Sequence, residues 1–322
     1  MELQRLIAAA EAGDQYAQNE LGIRYHQGNG VAQNLAEAAK WYRKSAEHGL
    51  SYPQYNVGLM YREGFGVERN HETAIGWIRK AAEQGLANAQ YDLGLMHEAG
   101  HGTAQDDAQA VHWLTLAAEQ GMPEAQNHLG VRHSEGRGLP RDDAQAARWT
   151  SAAAQQGLMD AQHNLSLMYL DGVGVAQDDG LAAFWTKLAA QQGHEGATYN
   201  LGQMYLKGRG VPRDTASAVA CFLTLADKGN VLCQYNLGVL YSQSDDLRDD
   251  ERSLFWYRKA AGQGYADAQA NLALMYIRGQ GVPQDDAIAT EYLLQAAQQG
   301  HAGAQHNLKK IVQKVDAQGK LH

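Results

Sequence analysis

Cysteine is nearly missing from this 322-residue chain: Cys221 and Cys233 are the two thiols, too few for a disulfide framework. Cys221 falls inside an expected second helix and Cys233 at the start of the next, with the chain reversing between them, so both read as small apolar core residues. Long apolar runs are lacking too, and nothing approaches the roughly 18 uninterrupted residues of a membrane span. The opening Glu2, Gln4 and Arg5 before Leu6 to Ala10 is too polar and brief for a secretory signal. A cytoplasmic location is expected, with a periplasmic or secreted one as the alternative if a signal has been removed. Basic clusters are scarce: 27 Lys and Arg against 36 Asp and Glu give a net charge of -9. That balance counts against displacing counterions from a phosphate backbone, so nucleic acid is not an expected partner.

What the chain has instead is repetition. One 36-residue pattern begins at Ala17, Pro53, Ala89, Ala125, Ala161, Ala197, Cys233 and Ala268, and the seventh copy alone is a residue short. Such a period signals stacked supersecondary units, none able to bury its apolar face alone, forming one continuous core. One elongated domain is expected: an N-terminal capping half repeat at 1–16, eight repeats at 17–52, 53–88, 89–124, 125–160, 161–196, 197–232, 233–267 and 268–303, and a C-terminal capping helix and tail at 304–322. At the first end, Ala9-Ala10-Glu11-Ala12-Gly13 repeats the close of a second helix. At the other, Ala304 to Leu308 opens another first helix, but Lys309 and Lys310 then give it a polar outer face.

The second copy is typical of the repeat. Pro53 suits the opening turn of a helix, and Val57 and Tyr61 lie four apart on one face. Gly64 and Gly66 break that helix, and Val67 returns inward over the turn. A second helix opens at an Asx residue in every copy: Asn34, Asn70, Asp106, Asp142, Asp178, Asp214, Asp249 and Asp285. Each accepts hydrogen bonds from first-turn amides and is worth about 0.5 to 2 kcal/mol, with Glu37, Gln109 and Gln145 placed to complete capping boxes. Trp41, Trp77, Trp113, Trp149, Trp185 and Trp256 share a column followed by an alanine pair such as Ala81 and Ala82. The aromatic fills space and the alanines let helices approach.

Ala197 to Val211 carries nearly whole the pattern Ala-Gln-Tyr-Asn-Leu-Gly-x-x-Tyr-x-x-Gly-x-Gly-Val, with Trp and Ala-Ala-x-x-Gly downstream in most copies. In this the chain resembles the Sel1-like repeat family over essentially its whole length. Tetratricopeptide and pentatricopeptide arrays have a similar period but not the Gly-x-Gly-Val turn, and the ankyrin unit is shorter. The resemblance implies an all-α fold, a right-handed superhelical solenoid of antiparallel, tetratricopeptide-like helix pairs. It also implies a scaffold for protein assembly, found chiefly in bacteria and in eukaryotic signalling or quality-control assemblies, with no catalytic residues and no cofactor.

On the first helix the third and seventh positions point away from the core columns, yet they are largely apolar. The seventh column reads Ile23, Leu59, Leu95, Val131, Leu167, Gln203, Val239 and Leu274, and the third contains Tyr55, Tyr91, His163, Tyr199 and Tyr235. In helix-pair solenoids first helices line the concave side, so this stripe is either inter-repeat packing or a groove for a partner. For the fourth-column asparagines Asn56, Asn164, Asn200, Asn236 and Asn271, bonding to neighbouring turns outweighs a functional role. For the tyrosines the balance tips slightly toward binding, since Tyr offers a large rigid surface with a polar tip. Such a ladder could hold a peptide, amides on its backbone and rings over its side chains. Glu63, Asp92, Glu98, Glu135 and Asp171 precede Lys207 and Arg278 along this side; mixed solvated charge is the commoner cause, and a true gradient would set a partner's basic part on the middle repeats.

Other patterns carry less. His97 and His101 have metal-sharing i, i+4 spacing, but His97, like His133, occupies the core tyrosine column, and His101 lies in a turn without a carboxylate or cysteine cluster. Asp92 and His128 share a column in adjacent repeats and are placed to hydrogen-bond. Turns such as Gly172-Val173-Gly174 follow helices and lack the residues that cradle phosphate. The Asp-Asp pairs, Asp106-Asp107 for instance, are explained by capping and the helix dipole, and no Gly-x-Ser-x-Gly elbow occurs. The seventh-repeat turn, 242–250, has no glycine and carries Asp245, Asp246, Asp249 and Asp250, through drift or as a local docking site. Ser166 and Ala273 replace the helix glycine, and Cys221 and Tyr292 the tryptophan. The expected function is a non-enzymatic adaptor, monomeric, binding a partner protein or peptide in a concave groove. The alternative is a small-molecule- or metal-binding protein, or an enzyme, on a repeat scaffold.

Overall fold

The computed structural model describes residues 2–244 and 246–317, with side chains as far as Ile311; Met1, Asp245 and residues 318–322 of the expected tail lie outside them. Among the described residues the chain is all-helical and forms an α solenoid of helix pairs. It divides into two compact units, Met1–Gln177 and Asp178–His322. In the first, α1 (Glu2–Glu11) precedes the pairs α2 (Gln15–Gln27) and α3 (Leu35–Glu47), α4 (Ser51–Glu63) and α5 (His71–Glu83), α6 (Ala87–Ala99) and α7 (Asp107–Glu119), and α8 (Pro123–Glu135) and α9 (Asp143–Gln155); α10 (Met159–Asp171) ends it. In the second, α11 (Asp179–Gln191) is followed by α12 (Glu195–Lys207) and α13 (Thr215–Ala226), α14 (Val231–Gln243) and α15 (Asp250–Gly262), and α16 (Ala266–Arg278) and α17 (Asp286–Gln298), closed by α18 (Ala302–Ala317). Within each unit every helix packs against the next.

The caps explain where the helices begin. All eight Asx residues are N-caps of second helices, each side chain accepting from a first-turn amide. The capping box at Glu37 is only half formed: its amide bonds Asn34, but its carboxylate turns to Lys40 and Trp41. First helices start two residues before the expected alanine. Their N-caps are Leu50, Leu86, Met122, Leu158 and Tyr265 in five repeats, none of which makes a side-chain cap bond. Pro53 lies in the opening turn of α4 and is buried.

Close approach sets the spacing of each pair. A Cβ on Gly58 would run into Ile78 and the Ala74 carbonyl, while Ala74, Ala81 and Ala82 of α5 are fully buried. The turn has two separate needs. Gly64 caps α4 at φ 80, a left-handed conformation, and a Cβ on Gly66 would collide with the backbone of Leu35, at the start of the preceding second helix. The turns at Gly66, Gly102, Gly138, Gly174, Gly210 and Gly281 are thus seated on the repeat before them.

Core packing follows the columns, with two qualifications. Trp41 and Trp256 are buried, but Trp77 and Trp149 are only partly so, and Lys80 and Arg148 lie over their rings. Cys233 is fully buried, its thiol pushed up to about 12 by burial, whereas Cys221 is half-buried and not a full core residue; both are free.

Candidate functional site

The candidate face is built by the first helices. In the first unit Tyr55, Asn56, Tyr91, His163 and Asn164, and in the second Tyr199, Asn200, Tyr235, Asn236 and Asn271, are all half-buried, neither sealed nor fully open. The seventh column is half-buried throughout. The tips of these side chains form a pattern: the third position of one repeat bonds the fourth of the next. Tyr55 donates its hydroxyl to Asp92 at 2.8 Å, Asn164 Nδ2 donates to Asn127 Oδ1 at 3.2 Å, and Asn236 Nδ2 donates to the Tyr199 hydroxyl at 3.4 Å. Asn271 donates instead to Tyr257 at 3.3 Å. Asn56 and Asn200 have no side-chain partner among the described residues.

The rings are packed against aromatic neighbours while staying half-buried. Tyr91 meets His128 edge-on at 6.3 Å, Tyr199 lies 5.8 Å from Phe222, and Tyr235 sits between Tyr257 and Tyr265 at 6.0 and 5.1 Å. Burial, then the Asp92 charge, pushes the Tyr55 phenol up; burial, then Glu124, does the same for Tyr91, and burial, then Asp267, for Tyr235. These hydroxyls remain protonated at neutral pH and can donate hydrogen bonds.

The acidic residues divide into two groups. Glu63 and Asp92 both engage Arg62, at 2.7 and 2.8 Å. Glu98 lies 2.9 Å from His128, 2.8 Å from Arg132 and 3.2 Å from Arg137, and Arg132 also reaches Asp107 at 2.7 Å. Arg132 is 1% exposed in a column otherwise held mostly by methionine, so a buried guanidinium ties the partly exposed carboxylates of the third repeat to the fourth. Burial would raise the Glu98 carboxyl, but Arg132, His128 and Arg137 outweigh it and hold it low. The expected Asp92–His128 bond does not form: Asp92 is taken up by Arg62 and Tyr55, and His128 Nε2 lies 2.9 Å from Glu98 instead. Glu135 and Asp171 alone of the five remain exposed and without a cation among the described residues.

His97 is buried in the core column as expected, and His133 is half-buried. His101 stacks on His71 at 5.2 Å, and among the described residues no group of three or more His, Cys, Asp or Glu is placed to hold a metal. In the seventh repeat α14 ends at an extended Ser244 in place of a left-handed glycine. A recess of about 780 Å³ there is lined by Asp214, Thr215 and Leu240 together with Ser244, Asp246 and Leu247 of the turn.

Sequence reasoning passed over a glutamine pair in the repeat. Gln54 donates from Nε2 to the Ala46 carbonyl of the preceding helix and accepts at Oε1 from Gln84. The same bond joins Gln120 to Gln90, Gln156 to Gln126, Gln263 to Gln234 and Gln299 to Gln269, at 2.7 to 2.9 Å. The signal was present: the sixth repeat loses both glutamines together, to Thr198 and Lys228.

Comparison with known proteins agrees with this architecture. The Sel1 repeat matches at residues 15–50, 54–86, 87–122, 123–158, 160–194, 196–230, 231–265 and 266–301. A protective antigen present in uropathogenic Escherichia coli strains and displaying an SLR fold is 38% identical, with a TM-score of 0.91 over 97% of this chain and 68% of the other. A Sel1 repeat protein from Oxalobacter formigenes is 35% identical, with a TM-score of 0.70 over 97% of this chain and 90% of its own. Proteins of this kind are generally scaffolds for protein interaction and typically not enzymes. The chain belongs to the Sel1 repeat family.

Proposed function

We propose that this protein is an adaptor that holds a segment of a partner protein on the face formed by its first helices. The observation that carries this reading is the half-buried state of the tyrosine and seventh columns: rigid rings and aliphatic side chains remain in contact with solvent along successive helices. Such surfaces gain affinity by burying aromatic area around a few polar anchors. Supporting it, Tyr55, Tyr91 and Tyr235 keep protonated hydroxyls, and Glu135 and Asp171 offer charge not already neutralised within the stack. Against this, three asparagine amides are engaged between neighbouring side chains, which places more of the work on the rings than on the amides.

The test is pull-down with the intact protein beside a variant carrying Tyr91→Ser, Tyr199→Ser and Tyr235→Ser, folding being checked by circular dichroism. Recovery of specific partners should fall by about tenfold or more, as for loss of central aromatic anchors. Equal recovery of every partner by a folded variant would remove the tyrosine face from consideration.

A further inference from the structure

One position of the second helix faces the glycine of the first. It reads Tyr42, Ile78, Leu114, Thr150, Thr186, Phe222, Tyr257 and Leu293. In five repeats a large side chain lies directly against that glycine: Tyr42 on Gly22, Ile78 on Gly58, Leu114 on Gly94, Phe222 on Gly202 and Tyr257 on Gly238. In the fourth repeat the side chain against Gly130 is the smaller Thr150, beside the Ala146 carbonyl. The shorter side chain leaves unfilled the space its counterparts occupy, and a recess of about 260 Å³ remains, floored by Gly130 and Thr150 and walled by Val131, Asn164, Leu167 and Asp171.

The recess opens among residues of the candidate face, since Val131 and Leu167 belong to the seventh column and Asn164 to the fourth. A second recess of about 250 Å³, lined by Tyr91, Glu124, Asn127 and His128, shares the Val131 wall. Between the two, Asn127 and Asn164 are bonded to each other through one oxygen and one amide. That leaves the Asn127 amide as a donor and the Asn164 oxygen as an acceptor, the complement of one peptide unit. Glu124 and Asp171 are carboxylates with no cation partner among the described residues, while the nearby Arg132 is buried and held by Glu98 and Asp107.

We infer that these paired recesses bind a polypeptide segment in which a bulky apolar side chain neighbours a Lys or Arg, the apolar group entering above Thr150 and the cation meeting Asp171. The inference rests on the adaptor reading and specifies its occupant. An apolar wall with a carboxylate at its edge suits a side chain of that kind better than an acidic or wholly polar one. The acidic walls would repel a segment of like charge.

A phage-displayed library of random dodecapeptides, panned on the full chain, supplies the probe, and the strongest binder is then labelled for fluorescence anisotropy. Enriched sequences should pair Trp, Phe, Leu or Met with an adjacent Lys or Arg. Thr150→Leu gives the fourth repeat the side chain that Leu114 and Leu293 give theirs, so it folds while filling the recess. It should weaken binding by about tenfold, the scale of one lost anchor, as should Asp171→Lys. Thr150→Ser keeps the recess open and should bind like the parent. Binding that withstands Thr150→Leu and Asp171→Lys but fails on Tyr199→Ser with Tyr235→Ser, rings that line neither recess, would overturn the recess and leave the tyrosine face standing. Enrichment of acidic sequences would also overturn it, and failure to capture any peptide would count against both readings.

Discussion

At position 97 a histidine stands in a column that tyrosine fills at Tyr25, Tyr61, Tyr169, Tyr205, Tyr241 and Tyr276. It is 5% exposed, and neither ring nitrogen has a partner among the described residues. Burial, then the charge of Arg79, lowers its pKa, and Asp106 opposes this only in part. His133 and His128 are lowered too, in each case by burial first. A histidine whose folded pKa lies below its unfolded value near 6.5 costs nothing above that pH; stability then falls as pH drops through the lowered folded value and levels off below it. His97→Tyr should therefore flatten the acid limb of stability, measured as the urea midpoint between about pH 7.5 and 5. Parallel pH profiles for parent and variant would show that position 97 does not contribute. Glu98 and Asp107 act in the same direction in a lower window: their depressed carboxyls add stability above the ordinary carboxylate range that is lost as pH falls through their folded values.

Between elements, the glutamine pairs fix how three consecutive helices meet: Gln54 in α4 joins the last turn of α3 to the cap of α5. The first repeat lacks the second glutamine, with His48 in its place, and there Gln18 Oε1 is buried without a partner. His48→Gln should satisfy that oxygen and stabilise the N-terminal repeats by about 1 kcal/mol, the net worth of one hydrogen bond with the relief of an orphaned acceptor. Slower amide exchange in α2 and α3 would register the gain, and unchanged exchange would show that water already serves Gln18. The second-helix caps and turn glycines were legible in the sequence because an Asx cap recurs in all eight aligned copies and the turn glycines in seven, each meeting the same local need. The first-helix starts were not, since Leu50, Leu86, Met122 and Leu158 carry no capping group. Nor was the route of the face's hydrogen bonds. Reading down one column paired Asp92 with His128, whereas the bonds step 37 residues, from the third position to the next repeat's fourth. The recess depends on one short side chain, Thr150, whose meaning appears only when its neighbours' volumes are seen.

At the scale of the whole molecule, the net charge of -9 is available for long-range attraction only where carboxylates lack internal partners, as at Glu135 and Asp171. Association with a basic peptide should therefore weaken as salt rises from about 50 to 500 mM, mostly through slower association, because exposed charges are screened within about 10 Å at 0.1 M. Stopped-flow rates that ignore salt would mean that the surviving carboxylates do not guide the encounter. Both units contain glutamine pairs, at the end where a first helix begins and a second one finishes; the opposite end carries the glycine turn and the Asx cap. Among the eight copies length varies only at the turn end, where Asp249 N bonds the Tyr241 carbonyl across eight residues in place of the nine from Asn70 to Tyr61. The lone deletion, in the seventh copy, falls at the permissive end, and grafted loops or recognition sequences inserted near Ser244 would leave the pinned end in register, making that turn the natural place for the array to acquire new specificity.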